Sequence, residues 1–531
     1  MNFFKRAIKN VSRNKTRTLL LVITFFVIGN FVILGLAISN AAEDAKVATR
    51  QNMRAVVNYQ VDYEKAWQYS EGLTEEEREA FEYPRITLEE IKEFSSDERV
   101  KTVSINNYNM LYSEGIETIK IDNDASNQNN SETCWLDEDG NEICNTYVEP
   151  SLNLKTNLFP SSIELEDKIY NVVEGSMYSQ EDIDSNARVC LITEELADLN
   201  GLQVGDTIGT FINDPSSIEE GGYAYGDMSR EDIYLELEII GIFENTDKLD
   251  PTSDDYNWLP SYMAPGNVVL APLTTISEFN YSFYLKNWNI SKEKYPDEEY
   301  YQNPDNTPKY ENFINISMAT FLLNDPLKVD SFVADHSENV EEQFKMFDAN
   351  NEMFEKLSKP LDTMSLFSNF IVWLVFINAI IIITLITALT LKNREYEIGV
   401  LLSLGTSKFK IISQFFVELA IVALIGFTLA NISGSLIASK VGDVVWSYQS
   451  QYDGVATLDE TPDYDMGWYG ETDYFTDITY EDVSNNYQVS ISPLLIGEIY
   501  IAGLGIVLIA ILIPSLMIMR FSPKRILMSA Q

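Results

Sequence analysis

The chain has 531 residues, with 37 Lys+Arg against 81 Asp+Glu and a formal net charge of −44. That length exceeds one compact core, so more than one structural unit is expected, and the acidity excludes a nucleic-acid backbone, which is bound by positive charge. A single histidine, His336, excludes His-based zinc sites and Ser-His triads.

Residues 1–18, MNFFKRAIKNVSRNKTRT, carry Lys5, Arg6, Lys9, Arg13, Lys15 and Arg17 and no acid. Phe3, Phe4, Ile8 and Val11 fall on one helical face among those cations. This is the pattern of a cytoplasmic amphipathic helix that lies on anionic lipid or touches a partner. An apolar window over 19–39 follows, and others cover 366–391, 415–439 and 491–519. Each approaches or exceeds the roughly 20 residues that cross a bilayer. The alternative for the first is a cleaved signal peptide, given the basic start and the small residues of AISNAA. The run is longer than the roughly 7–15 apolar residues of such peptides, so an uncleaved first transmembrane helix is expected.

Residues 1–18, 392–414 and 520–531 hold 13 of the basic and 2 of the acidic residues, leaving the rest of the chain near −55. Positive-inside orientation then puts both termini and the 392–414 loop in the cytoplasm, with 40–365 and 440–490 outside. The expected fold is a four-helix membrane protein carrying a mixed α/β extracytoplasmic domain on a helical stalk. The stalk is read from two segments. Residues 41–56 continue the first helix, and 338–364 lead into the second with Val340, Phe344, Phe347 and Met353 at helical intervals. Pro360 is expected to kink or interrupt that second helix.

Between the stalk segments, KTVSINNYNMLY, ARVCLIT, DTIGTFI, IYLELEIIGIF and NVVLAPL read as strands. Cys134 and Cys144 bracket WLDEDGNEI, whose Asp139-Gly140 is a hairpin turn signal. A disulfide closing this hairpin suits an oxidising compartment, with two free thiols as the alternative. Cys190, in an apolar strand pattern, reads as a buried small hydrophobe. DEDGNE lacks the ligand spacing of a calcium loop, so no metal site is expected. The acidic, Tyr-rich stretches SSIEEGGYAYGDMSREDIY and KEKYPDEEYYQNPDNTPKY read as surface loops. Paired carboxylates are everywhere in such a domain and single out no catalytic residue.

The segment REYEIGVLLSLGTSKFK, 394–410, is different. Polar Lys392, Arg394, Glu395 and Glu397 precede an aliphatic face of Ile398, Leu401 and Leu402. Gly405 offers the left-handed conformation that ends a helix. Thr406 or Ser407 can cap the next one, which carries Phe409, Ile411, Ile412 and Phe415 back toward the bilayer. A stiff elbow between two membrane helices transmits displacement; the alternative is a solvated loop whose cations only enforce topology. On the third helix Gly426, Ala430, Gly434 and Ala438 recur every fourth position, a small-residue stripe for close helix packing within the subunit or across a dimer. Glu418, at the membrane boundary near Lys408 and Lys410, reads as a structural pair or snorkelling contact, with an ion pathway as the alternative.

Several passages together are similar to the MacB/FtsX family of ATP-binding cassette permeases. They are Glu174-Gly175, Val204-Gly205-Asp206, Ile239-Ile240-Gly241 and, above all, the loop pattern R-x-x-E-I-G-x-x-x-x-L-G-x-S/T. Arg394, Glu397, Ile398, Gly399, Leu404, Gly405 and Ser407 match that pattern. Glu418 falls at the family's F-x-x-E position, and Pro523 shortly after the fourth helix is also family-like. The resemblance implies a bacterial cell-membrane protein whose elbow, including Leu401, rests on a separate ABC ATPase subunit, and a second permease subunit in a homo- or heterodimer. The phosphate-cradling G-x-x-x-x-G-K-S/T is absent. The chain is therefore expected not to be an enzyme, with no cofactor bound directly and with ATP and Mg entering through the partner. Export of an antimicrobial peptide, antibiotic or lipid-like substrate is the expected function. An acidic, aromatic external domain suits cationic amphipathic peptides. The alternatives are FtsX-type mechanotransmission regulating a cell-wall hydrolase, and a non-transporting membrane-anchored receptor.

Overall fold

The computed structural model describes residues 3–106, 109–121, 132–136, 142–146, 149–215, 228–249, 256, 259–314, 316–340, 343–453, 474–475 and 478–520. The chain divides into two compact units, one of residues 1–53, 351–463 and 476–531, the other of 54–350 and 464–475.

The first unit is helical: α1 (Phe3–Arg13), α2 (Lys15–Asn52), α3 (Asn351–Asn393), α4 (Glu395–Ser403), α5 (Lys408–Asp453), α6 (Tyr480–Asn486) and α7 (Pro493–Arg520). Among the described residues, α2, α3, α5 and α7 are the four helices long and apolar enough to cross a membrane. They meet in one core that includes Phe25 and Ile33 of α2, Ala379 and Ile383 of α3, Ala423 and Phe427 of α5, and Val507 and Ala510 of α7.

Small residues set the α2–α5 approach. A Cβ on Gly426 would lie 2.5 Å from Cβ of Phe25 and 3.1 Å from the Val22 carbonyl, and one on Gly434 would lie 2.9 Å from the Ile33 side chain. Ala430 in turn lies 2.7 Å from where a Cβ on Gly29 would stand, and Ala438 is fully buried. The stripe therefore packs inside one chain. Gly426→Leu is expected to separate the two helices and to cost about 1–3 kcal/mol or more through overpacking, read as a lower thermal midpoint in detergent micelles.

At about 1.5 Å per residue, the 38 residues of α2 and 43 of α3 reach about 57 and 65 Å, against a hydrocarbon core of about 30 Å. The excess length has its own core of Ala41, Ala42, Ala45, Leu357, Leu361, Trp446 and Tyr487. Lys46 Nζ donates to Asp362 at 2.8 Å, and Trp446 stacks on Tyr487 at 5.3 Å between centroids.

The boundaries differ from expectation in three places. The second long helix begins at Asn351, because 345–348 form a strand and Phe344 has φ +55. Phe347 there packs against Tyr59 at 4.9 Å, a sheet contact that the helical spacing mimicked. Pro360 does not interrupt α3; it is buried along with Leu357, Leu361 and Met364, whose packing holds that turn. Finally, α2 stops at Asn52, and Val56 already opens a strand.

The second unit is mixed α/β. Its strands are β1 (Val56–Val61), β2 (Val100–Asn106), β3 (Asn109–Ser113), β4 (Glu132–Leu136), β5 (Glu142–Thr146), β6 (Leu152–Asn157), β7 (Tyr170–Gly175), β8 (Val189–Thr193), β9 (Thr207–Phe211), β10 (Tyr234–Asn245), β11 (Val268–Pro272), β12 (Met318–Leu323) and β13 (Lys345–Asp348). An antiparallel sheet runs β13-β1-β12-β2. A larger one runs β7-β10-β8-β11-β6-β3-β9, and an additional β10–β9 pairing closes it on itself. Closure is possible because β10 has 12 residues: its first half pairs with β9 and its second half with β7. A bulge between Ile239 and Gly241 lies where it changes partner. Gly175 has φ +72, and a Cβ there would meet the Ile240 carbonyl at 2.1 Å. The Glu174-Gly175 and Ile239-Ile240-Gly241 passages are thus two halves of one close backbone crossing.

Cys190 is fully buried in β8, and burial pushes its thiol up. Cys134 and Cys144 stand directly opposite in the β4–β5 ladder; their side chains lie outside the described residues, as do residues 137–141 of DEDGNE and 216–227 of the first Tyr-rich stretch. The second Tyr-rich stretch carries the short helix Glu299–Gln302, whose Tyr300 and Tyr301 pack on Trp288 at 5.4 and 4.9 Å. His336 pairs with Asp97 at 3.0 Å, with its ring against Phe94 and Phe332, a packing role.

One face of the four-stranded sheet holds Val57, Tyr59, Phe321 and the packed helices of Ile91 and Phe332. On the other, Val56, Leu322 and Ile163 surround Tyr474. Tyr474 donates to the buried carboxylate of Glu164 at 2.6 Å, and Ser104 of β2 donates to it at 3.1 Å. Tyr474 and Phe475 thus belong to the α/β unit, although the chain places them between α5 and α6.

Candidate coupling elbow

Helix α4 ends as its sequence dictates. Gly405 has φ +78; its N–H donates to the Leu402 carbonyl and the Thr406 N–H to that of Leu401, both at 3.0 Å. This paired arrangement satisfies the last carbonyls of the helix. Ser407 Oγ then accepts from the Lys410 N–H at 3.4 Å and caps α5. Ile398 packs with Leu391, Ile411 and Phe415, with Leu401 and Leu402 beside them. Gly399 is buried as well. The bend therefore has a core of its own and is fixed to both neighbouring long helices.

At the start of α4 an ion network locks the elbow. Arg394 grips Glu397 in bidentate fashion, Nε to Oε2 at 2.8 Å and Nη2 to Oε1 at 3.1 Å. Its remaining nitrogen, Nη1, reaches Glu418 Oε2 at 3.1 Å, and the guanidinium lies 5.0 Å over the Phe415 ring. The bond from Arg394 holds the Glu397 carboxyl below the usual range; burial opposes this, and the charges of Arg394 and Arg6 reinforce it. Glu418 also accepts from Asn10 Nδ2 at 2.7 Å and from Gln414 Nε2 at 3.1 Å.

Glu418 is thus a structural pair as expected, but with Arg394, Asn10 and Gln414 in place of the expected Lys408 and Lys410. Through Asn10 it fastens α1 to α5. Ala7 is buried and Val11 packs on the bundle core, while Phe4 and Ile8 of the amphipathic face stay exposed. Asn10, an unremarkable amide between two expected stripes, gave no sequence signal.

Three large apolar side chains stand among the polar ones on the outer surface of the elbow. Leu404 and Phe409 are each 76% exposed and Tyr396 61%, around the exposed Gly405 and Ser407. Phe409 does not share the inward face of Ile411 and Phe415. It lies two residues before Ile411, about 200° around the helix, and so faces away. The predicted loop residues consequently divide into an inner set (Arg394, its partner Glu397, Ile398, Gly399, Leu401) that fixes the bend and an outer set (Leu404, Gly405, Ser407). Tyr396 and Phe409 join the outer set.

Residues 369–523 match the FtsX-like permease C-terminal family. The chain is also 26% identical over 446 residues to the uncharacterized ABC transporter permease YclI of Bacillus subtilis (strain 168), covering 82% of this chain and 80% of that protein. The chain is thus similar to FtsX-like permeases over its C-terminal part. Its elbow, from Arg394 to Ser407, lies wholly inside the family-matched segment. Two solved structures resemble part of this chain more distantly. The periplasmic region of MacB from Actinobacillus actinomycetemcomitans has a TM-score of 0.27 at 8% identity, covering 57% of this chain and 92% of that one. The extracellular domain of the noncanonic ABC-type transporter YknZ from Gram-positive bacteria has a TM-score of 0.26 at 11% identity, covering 55% and 99%.

Proposed function

We propose that this permease couples ATP hydrolysis by a separate ATPase subunit to movement of its α/β unit outside the cell membrane, driving export of cationic amphipathic peptides or similar compounds. The observation that carries the reading is the exposed apolar patch of Tyr396, Leu404 and Phe409 on a bend locked from behind by Arg394 and Glu418. A stiff element with a sticky outer face is built to receive a partner and pass its displacement on. Both termini and the elbow are cytoplasmic in this scheme, and two permease copies, each with an ATPase, close together when nucleotide binds. ATP and Mg act only through the partner.

The helices that outreach a bilayer support transmission beyond the membrane, and that same feature favours the second reading, in which the outer unit regulates a cell-wall hydrolase and nothing is moved. The acidity of the chain outside the short basic segments favours cationic cargo.

The test is co-purification of the tagged full chain from its native membranes with ATPase activity assayed in the eluate. Leu404→Glu combined with Phe409→Glu is expected to reduce that activity about tenfold or more, the effect of losing central interface anchors, with the thermal midpoint unchanged. Undiminished activity in the double variant refutes the docking role. Impermeant thiol labelling of Ser403→Cys should require permeabilised cells; labelling of intact cells refutes the orientation.

A further inference from the structure

The α/β unit contains a cavity of about 450 Å³ that coupling does not use, within the roughly 300–1,000 Å³ of small-ligand sites. The residues that line it include Asn109, Asn213, Asn280, Asn312, Ser277, Tyr284 and Phe313. In a chain of net charge −44, no acidic or basic side chain is among the described residues that line it. Tyr284 and Phe313 are stacked, 5.1 Å between centroids and 27° apart, forming one aromatic slab.

Ser277 supplies the decisive detail. It is 1% exposed, and its Oγ has no hydrogen-bond partner. A helical serine ordinarily satisfies its hydroxyl on the preceding turn, and a buried hydroxyl left unpaired is costly. Here it is left unpaired on a residue that borders the cavity.

We propose that this cavity binds a neutral saccharide of disaccharide size. Each sugar hydroxyl needs both a donor and an acceptor, which an asparagine amide or a serine hydroxyl provides from one side chain. The apolar C–H face of a pyranose lies flat on an aromatic slab. Among the described residues of the wall, a charged ligand would find no counter-charge. An extended peptide is disfavoured for a different reason: it is captured through the free edge of a strand, and β3, which contributes Asn109, is already paired with β6 and β9. The proposal is independent of the coupling role, since these residues all belong to the α/β unit.

The test uses the full chain in lipid nanodiscs and saturation-transfer NMR with maltose, cellobiose and chitobiose, alongside a capped Ala-Gly-Ala tripeptide. At least one disaccharide is expected to bind, and Asn213→Ala and Asn280→Ala are each expected to weaken it about three- to tenfold, the effect of one neutral hydrogen bond. Ser277→Ala provides opposite signs from one substitution: a higher thermal midpoint without sugar and weaker sugar binding. Failure of all three disaccharides to bind overturns the proposal. So does sugar binding that is indifferent to all three substitutions, or stronger binding of the capped tripeptide than of every sugar.

Discussion

Replacing Arg394 by leucine is expected to destabilise the helical unit by about 3–5 kcal/mol, the usual effect of removing one partner from a buried ion pair. The side chains of Arg394 and Glu418 are only 14% and 4% exposed, so without the guanidinium the Glu418 carboxylate keeps two amide donors and no bonded cation. The asymmetry of such pairs gives a second, sharper expectation. Arg394→Leu combined with Glu418→Leu removes both charges and should recover most of the loss, because well-packed apolar replacements of a buried pair are often neutral or better. Thermal or SDS unfolding in micelles measures both. Equal stability of the single variant and the parent would mean that the network does not hold the elbow.

Tyr474→Ala should be similarly damaging in the other unit, at about 3–5 kcal/mol for loss of a buried aromatic side chain, whereas Tyr474→Phe, which removes only the donor to Glu164, should cost about 1–3 kcal/mol. Glu164 sits below the ordinary carboxylate range even though burial, the largest influence, pushes the other way. The nearby charge of Lys155 and the bonds from Tyr474 and its neighbours prevail. A carboxyl depressed in the folded state stabilises above its unfolded value and loses that contribution as pH falls through the folded one. Part of the unit's stability should therefore vanish below about pH 4, and Glu164→Gln should flatten that dependence. Hydrogen exchange across 54–350 reports both effects; unchanged protection in Tyr474→Ala would remove the anchor from the account.

What could be read from the sequence is what is decided locally. Gly405 and Ser407 announce a helix stop and a cap within three residues, and both hold. The strands β8, β9 and β10 alternate or run apolar between turn residues, and they form. The four apolar windows are helices, because length and composition suffice for that. By contrast, β12 is buried at every position, so its MATFLL carries no alternation to read. Phe344 and Phe347 sit at helical spacing while belonging to a turn and a strand. The partner of Glu418 was least legible of all: Asn10 lies 408 positions away, and a contact at that separation is a property of the packed bundle. The cavity beside Ser277 is of the same kind, since a hydroxyl left unpaired is visible only once every neighbour is placed.

The membership of Tyr474 and Phe475 in the α/β unit has a practical corollary for anyone dissecting the molecule. An excised fragment spanning 54–350 is one piece short: Val56, Ile163 and Leu322 would open onto solvent, and the acid beneath them would lose its phenol. Exchanging this module between related chains therefore requires transplanting two stretches of gene together, and a synthetic peptide containing Tyr474 and Phe475 becomes a complementation reagent for the truncated form.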